Sequence, residues 1–409
     1  MKNFSELSLS ALLKSNLAKH GFVEPTPVQA LSIEPALAGH NVVATAQTGT
    51  GKTLAFVLPL IHLLQNEPKK SGVRAVILIP TRELAIQIQE VFVKLAAGTG
   101  IRSAVVVGGL SENPQLQAIR KGAQVVIATP GRMFDFLSRQ LVKLDGTRIL
   151  ILDEADRMLD MGFLPTIKRI MGSMPADKQT LFFSATIETS VKHLVEVHVP
   201  NAIRVEVGST TQPINQVDLH LYEVDGDRKL SLLEKMLGEE QGSFLVFART
   251  KHGADRLARK LGRVSGKVVA IHGDRSQNQR NQALKGFQDG YYRVMVATDV
   301  AARGLHVDNI AHVVNYDLPQ VPEDFIHRVG RTGRAGARGV ASTFATRNER
   351  GDIATIERAL KIKMIRKDVP GGVTREAGLA PVIEIPMSSE PRPKKFLFKS
   401  RNVRRRRAV

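Results

Sequence analysis

Two short runs hold the residues best suited to chemistry. Residues 46–53 read Ala46, Gln47, Thr48, Gly49, Thr50, Gly51, Lys52 and Thr53, between the apolar run Asn41–Ala44 and a helical stretch. Glycines at 49 and 51 let the backbone come close to an anion, because a Cβ there would stand in the way. Backbone N–H groups and the helix N-terminus then face negative charge. In such a loop Lys52 reaches the β- and γ-phosphates and Thr53 gives an oxygen to Mg²⁺. Further along, Asp153, Glu154, Ala155 and Asp156 follow the apolar run Ile149–Leu152. Carboxylates at the C-terminal end of a buried parallel strand sit at the mouth of the sheet, where open α/β folds bind ligands. Asp153 is placed to hold Mg²⁺, directly or through water, and Glu154 to orient and deprotonate an attacking water. Taken singly, the first run is a glycine turn and the second an acidic helix cap. The order strand, glycine turn, helix favours a phosphate loop, and the loop in turn favours the catalytic reading of the carboxylates.

Residues of this kind need a scaffold, and the chain alternates short apolar runs with amphipathic stretches. Strands are expected at Arg74–Pro80, Gln124–Pro130, Arg148–Asp153 and Thr180–Ser184. A second series is expected at Ser243–Ala248, Lys267–His272, Arg293–Thr298, Ala311–Asn315 and Gly339–Phe344. The runs are rich in Val and Ile and do not alternate strictly, as in parallel strands buried on both faces. Helical patterns lie between them, at Thr81–Ala97 and Gly253–Leu261, and strand–helix alternation means a parallel α/β sheet. The polar patch Gly208–Gln216 has linker composition. The expected organisation is a first domain over 1–208, a linker at 209–216, a second domain over 217–370 and a basic flexible tail over 371–409. Only the first half carries a phosphate-loop motif.

Composition narrows the function. The 409 residues include 58 Lys+Arg and 39 Asp+Glu, a net charge of +19, with 43% hydrophobic residues and no Cys. Wholesale disorder, a fibrous chain, disulfide scaffolds, Cys-ligated zinc and thiol catalysis are excluded. No apolar run is long enough to span a membrane, and MKNFSELSLS has no apolar signal core, so a cytoplasmic location is expected. The charge points to a polyanionic partner. Residues 390–409 hold nine Lys/Arg and one Glu, a net of +8, and read as a disordered anchor; the other 389 residues keep +11. Aromatics are 5% and Trp is absent, so contact with phosphates is favoured over base stacking.

On these motifs the sequence resembles the DEAD-box RNA helicases of helicase superfamily 2, and its overall shape is similar to the bacterial RhlE-like subgroup. The resemblance covers about residues 4–345, with the motif series in order. It implies an α/β fold of two tandem RecA-like parallel-sheet domains joined by a short linker, and ATP and Mg²⁺ as cofactors. Gly21, Phe22, Pro25, Thr26, Pro27, Val28 and Gln29 match the adenine-recognition segment. The Gln29 amide can donate to and accept from the adenine edge, and Phe4 would stack on its face, or else serve as a core residue. Pro80, Thr81 and Arg82 (in PTRELA), Gly108 with Gly109, and Thr129 with Arg132 (in TPGR) match RNA-contacting segments. So do Gly273 (in HGD), Gln277, Arg280 and Thr298 in the second half. Phe247–Thr250 with Lys251 matches another family motif. Contacts of this type grip phosphate and ribose and carry no base information. Ser184 and Thr186 match the coupling motif that relays between Asp156 and RNA. Asp299 is expected at the nucleotide. In HRVGRTGR, Arg331 and Arg334 match the arginine fingers and His327 the bridge to the acidic segment.

Two departures stand out. The second-domain motif reads Arg303, Gly304, Leu305, His306, where the family usually ends in Asp. A carboxylate only accepts, whereas neutral imidazole accepts one hydrogen bond. Weaker ATP binding or closure than in a His306→Asp form is therefore expected. Ala337 stands where relatives often carry a basic residue. The resemblance implies RNA-stimulated ATP hydrolysis with local duplex unwinding by an open–closed cycle of a monomer, away from membranes. The tail is read as a contact for RNA, or for ribosomal or RNA-decay proteins. The competing readings are a DNA-acting helicase and a passive RNA-annealing protein driven by the tail.

Overall fold

The computed structural model describes residues 2–46, 50–68, 71–187, 189–207, 217–302, 310–333 and 338–376. The linker 209–216 and most of the tail lie outside them, as do Gln47, Thr48, Gly49, His306, Arg334 and Ala337. The described chain forms two seven-stranded sheets. The first holds β1 (Val42–Thr45), β2 (Ala75–Leu78), β3 (Ser103–Val106), β4 (Val125–Ala128), β5 (Ile149–Leu152), β6 (Gln179–Ser184) and β7 (Ile203–Glu206). The second holds β8 (Val217–Glu223), β9 (Phe244–Phe247), β10 (Val268–Ile271), β11 (Val294–Ala297), β12 (His312–Asn315), β13 (Gly339–Ala345) and β14 (Ile365–Lys367). All pairings are parallel. All nine expected strands are present.

Strand orders are β3-β4-β2-β5-β6-β1-β7 and β10-β11-β9-β12-β13-β8-β14. The second repeats the first with every strand displaced by seven. Short strands become central because both faces are apolar. In β5, Ile149 and Ile151 enter one core layer and Leu150 and Leu152 the other. In β11, Met295 and Ala297 face one layer and Val294 and Val296 the other. Each fully buried Val, Leu or Ile adds about 1.5–3 kcal/mol. Helices cover both faces, so the C-terminal ends of the strands are left to carry the polar loops.

Candidate functional site

Lys52 opens the helix Lys52–Asn66 just past β1, with Gly51 at φ 86° as its cap. A Cβ on Gly51 would lie 2.4 Å from Gln29 Nε2, so glycine is required both by the left-handed backbone and by the packing. Lys52 is buried, and its Nζ donates to Ala46 O at 2.8 Å. Thr53 stands in the first helical turn. The Gln29 side chain braces this loop: its Nε2 donates to Gly51 O at 2.9 Å and its Oε1 accepts from Thr26 N at 2.9 Å. Thr26 Oγ1 donates to Thr50 O at 2.7 Å. Phe4 is 3% exposed and packs in the first core with Leu7 and Leu13. In this conformation its ring belongs to the core and offers no open face for stacking.

At the end of β5 the acidic segment turns sharply. Glu154 has φ 50° and ψ 50°, a left-handed conformation rare for a non-glycine residue and typical of functional turns. Asp153 is 3% exposed, and burial pushes its carboxyl up to about 6 against the pull of Lys52. Burial would raise Glu154 too, but Arg157, Lys52 and Arg331 outweigh it and hold Glu154 at about 2. Arg157 Nη1 donates to Glu154 Oε2 at 2.5 Å. Asp156 Oδ2 accepts from Ala185 N and Thr186 N, both at 2.9 Å, and from Thr186 Oγ1 at 3.2 Å. Ser184 Oγ accepts from Asp156 N at 3.2 Å. The acidic segment and the Ser184–Thr186 turn are thus one hydrogen-bonded unit.

The second domain meets this unit. Arg331 is buried, its Nε donates to His327 O at 3.2 Å, and its charge acts on Glu154. Burial holds His327 below the ordinary imidazole range; the Asp156 and Glu154 charges oppose this, and those of Arg331 and Arg157 reinforce it. Asp299, expected at the nucleotide, makes a two-pronged ion pair with Arg328: Nε to Oδ1 at 2.5 Å and Nη2 to Oδ2 at 2.7 Å. Arg328 also donates to Asn315 Oδ1 and Asp317 O, and lies over the Phe247 ring.

A second group lies at the ends of β2, β3, β4, β10 and β11. Pro80 is buried, and Thr81 caps the helix Arg82–Ala96. Arg82 crosses Gly109, where a Cβ would stand 2.0 Å from Arg82 Nη1. Burial, then Arg280, lowers the Arg82 pKa, and Arg132 adds to this. Thr129 caps the helix Pro130–Ser138, within which Arg132 donates to Leu110 O at 3.3 Å. Gly273 is exposed past β10, and Thr298 O accepts from Ala301 N and Ala302 N. Gln277 and Arg280 reach across instead to Glu83 of the first domain, each at 3.0 Å from Glu83 Oε1. Both are expected at the RNA from the resemblance, and in this structure they join the two domains through Glu83.

Sequence reasoning missed Arg157, Glu83 and Arg328. Arg157 could have been found three residues after Glu154, on the same helical face. Glu83 lies inside PTRELA, and Arg328 inside HRVGRTGR.

Residues 26–194 match the family model of the DEAD/DEAH box helicase, and 228–336 that of the helicase conserved C-terminal domain. The chain is 40% identical over 367 residues to the ATP-dependent RNA helicase CshA of Listeria monocytogenes, covering 89% of this chain and 70% of the relative. The fold is similar to that of S. cerevisiae Dbp5 bound to RNA and ADP BeF3, with TM-score 0.80 and 32% identity. That match covers 90% of this chain and 96% of the other. It is also similar to Mss116 bound to ssRNA and UDP-BeF, with TM-score 0.82 and 28% identity, covering 90% of this chain and 79% of the other. With both family models matched in order and this identity along nearly the whole chain, the protein belongs to the DEAD-box ATP-dependent RNA helicases.

Proposed function

We infer that the chain is an RNA-dependent ATPase that couples ATP hydrolysis to local, sequence-independent unwinding of RNA duplexes or remodelling of RNA–protein complexes. The observation that carries this reading is the meeting of Arg331 and His327 of one domain with Glu154 and Asp156 of the other. A site divided in this way exists only when the domains close. Lys52 and the residues 46–53 would hold the phosphates. Thr53 and Asp153 form an oxygen donor set that fits Mg²⁺, which keeps water and phosphate ligands and prefers such oxygens. The buried Asp153, beside the carboxylates of Glu154 and Asp156, fits a divalent ion, which would supply charge neutralisation at the phosphates. Glu154, held low by its cations, is better suited to orienting a water than to keeping its proton. Arg331, with Arg334, would face the developing phosphoryl charge. Gln29 would do double duty, bracing the loop and presenting its remaining amide valences to adenine. Asp299 would act through Arg328.

RNA would lie across Thr81, Arg82, Gly109, Thr129, Arg132, Gly273 and Thr298, with the Glu83 clasp beneath it. ATP and RNA each favour closure, so each raises the other's affinity. In this reading the domains span 1–208 and 217–370, with a linker at 209–216, and the two separate sheets support the division. Both halves of the site come from one chain, which favours a monomer, and an RNA substrate fits a cytoplasmic location. The RhlE-like placement rests on the compact core and short basic tail, and contacts of that tail with RNA, ribosomal or RNA-decay proteins belong to the same reading. Among the described residues, no helix is long and apolar enough to cross a membrane.

The test is RNA-stimulated ATPase and duplex unwinding by the intact chain and by Glu154→Gln. The variant is expected to bind ATP and RNA and to lose turnover by at least about 10²-fold. Full turnover in Glu154→Gln would remove the assigned residue, and no stimulation of the intact chain by RNA would remove the function.

A further inference from the structure

We propose that the solvent face of the helix Lys251–Ser265 is an RNA-backbone surface, extending the footprint beyond the strand clamped between the domains. The repeat of the sheets supplies an internal control. Helix Arg82–Ala96 follows β2, and helix Lys251–Ser265 follows the equivalent β9; each has 15 residues. Each starts at a threonine placed three residues past its strand. Thr81 Oγ1 accepts from Leu84 N at 3.4 Å and Thr250 Oγ1 from Gly253 N at 3.0 Å. Their charges differ. In the first helix Arg82 and Lys94 balance Glu83 and Glu90. Within the second helix, Lys251, Arg256, Arg259, Lys260 and Arg263 outnumber Asp255, a net of +4; Lys251 pairs with Asp274 and Lys260 with Glu376, which leaves the three arginines.

Positions 256, 259, 260 and 263 recur at the i, i+3, i+4, i+7 spacing and share one face. The opposite face, with Ala254, Leu257 and Leu261, is in the core. Packing therefore accounts for the apolar side and asks nothing of the three arginines, whose mutual repulsion costs stability. Arg256, Arg259 and Arg263 are exposed, and among the described residues no carboxylate pairs with them. Asp255 is engaged with His272 at 2.9 Å and Arg275 at 2.5 Å. The stripe from Lys251 to Arg263 is about 18 Å long, room for several phosphates. Grooves of about 410 Å³ and 420 Å³ flank it, the first lined by Arg259, Arg275 and Tyr292, the second by Arg256, Lys260 and Tyr316. The stripe begins at Thr250, level with Gly273 and Thr298 at the strand ends, and the inference rests on that face being the RNA face. Guanidinium groups suit phosphate oxygens, and contacts of this kind leave binding indifferent to sequence.

The test uses the full chain with Arg256→Gln, Arg259→Gln and Arg263→Gln together, and two RNAs. One is a single strand only long enough for the clamp; the other carries a long flank. For the long RNA, the slope of log affinity against log salt should fall by about 2. From 50 to 200 mM salt the variant should therefore lose about fifteen-fold less affinity than the parent. ATPase stimulated by the short RNA should be unchanged. An unaltered slope with the long RNA overturns the proposal, and so does an equal loss with the short one, because the stripe would then act through the clamp. Should the triple variant not fold, Arg263→Gln alone, at the far end from Thr250, should lower the slope by about 0.7. A parent chain that no RNA stimulates would sink the helicase reading, while a salt slope still lowered in the variant would uphold this surface and an unaltered one would overturn it.

Discussion

Glu154 is held by three cations at the turn where β5 ends, and this sets its response to acid. Its folded pKa, about 2, lies below the ordinary carboxylate value, so the pairing stabilises the fold above that ordinary value and fades as pH falls toward 2. Turnover should therefore show no acid limb from Glu154 in the range where the protein is stable. In Arg157→Gln that limb should move up in pH; an unchanged pH–rate profile would contradict the assignment. Arg328 offers a second test at this scale. It is 2% exposed and grips Asp299 with two prongs, so Arg328→Lys loses the planar fork that matches a carboxylate. A loss of about 1.5–3 kcal/mol is expected in urea unfolding, the range for a lost hydrogen bond to a charged group. The motif letters at Lys52, Asp153–Asp156 and Arg331 were legible in sequence, because their chemistry is local to a loop. Arg328 was not, because its partner Asp299 is 29 residues away and only folding shows that this arginine is buried. The contact of Gln277 and Arg280 with Glu83 was hidden for the same reason: their letters name an amide and a cation, and only folding brings Glu83 across the cleft to them.

The elements that hold these residues are short strands ending in glycine- or threonine-capped loops. Gly109 has φ 73° and Gly51 φ 86°, and each lies against a functional side chain. Gly109→Ala should push Arg82 aside and weaken RNA binding equally for all sequences; Gly51→Ala should break the Gln29 brace and raise the KM for ATP. Each carries a left-handed penalty of about 1–2 kcal/mol. Gly131→Ala, where a Cβ meets nothing within 4 Å and φ is not positive, should change neither. Equal effects at the three glycines would argue against these roles. Central strands were legible because they are apolar on both faces, as in β2 and β5. Strands β3 and β7 escaped because they are sheet edges with mixed burial, β14 because it is an exposed three-residue edge, and β8, beside an edge, alternates buried with exposed residues.

At the scale of the whole molecule, His327 and Arg331 of the second domain act on Glu154 of the first. Burial of His327 lowers its pKa, so protonation opposes the closed form below about pH 6.5, the ordinary imidazole value, and has no effect above it. ATP-dependent RNA affinity should fall as pH drops through that range, and His327→Gln should flatten the dependence. A parallel decline in both proteins would place the titration elsewhere. The Glu83 clasp belongs to the same scale. Glu83→Gln should weaken RNA and ATP binding together, and a double-mutant cycle with Arg280→Gln should show coupling; strict additivity would mean that the clasp carries no closure energy. The central claim is that the second domain completes the ATPase site of the first. Its most direct test is RNA-stimulated ATP hydrolysis by Arg331→Ala at saturating ATP and RNA. The expected result is a loss of about 10³-fold or more, with ATP binding by the first domain retained. Turnover equal to that of the unaltered chain would contradict a site built by domain closure.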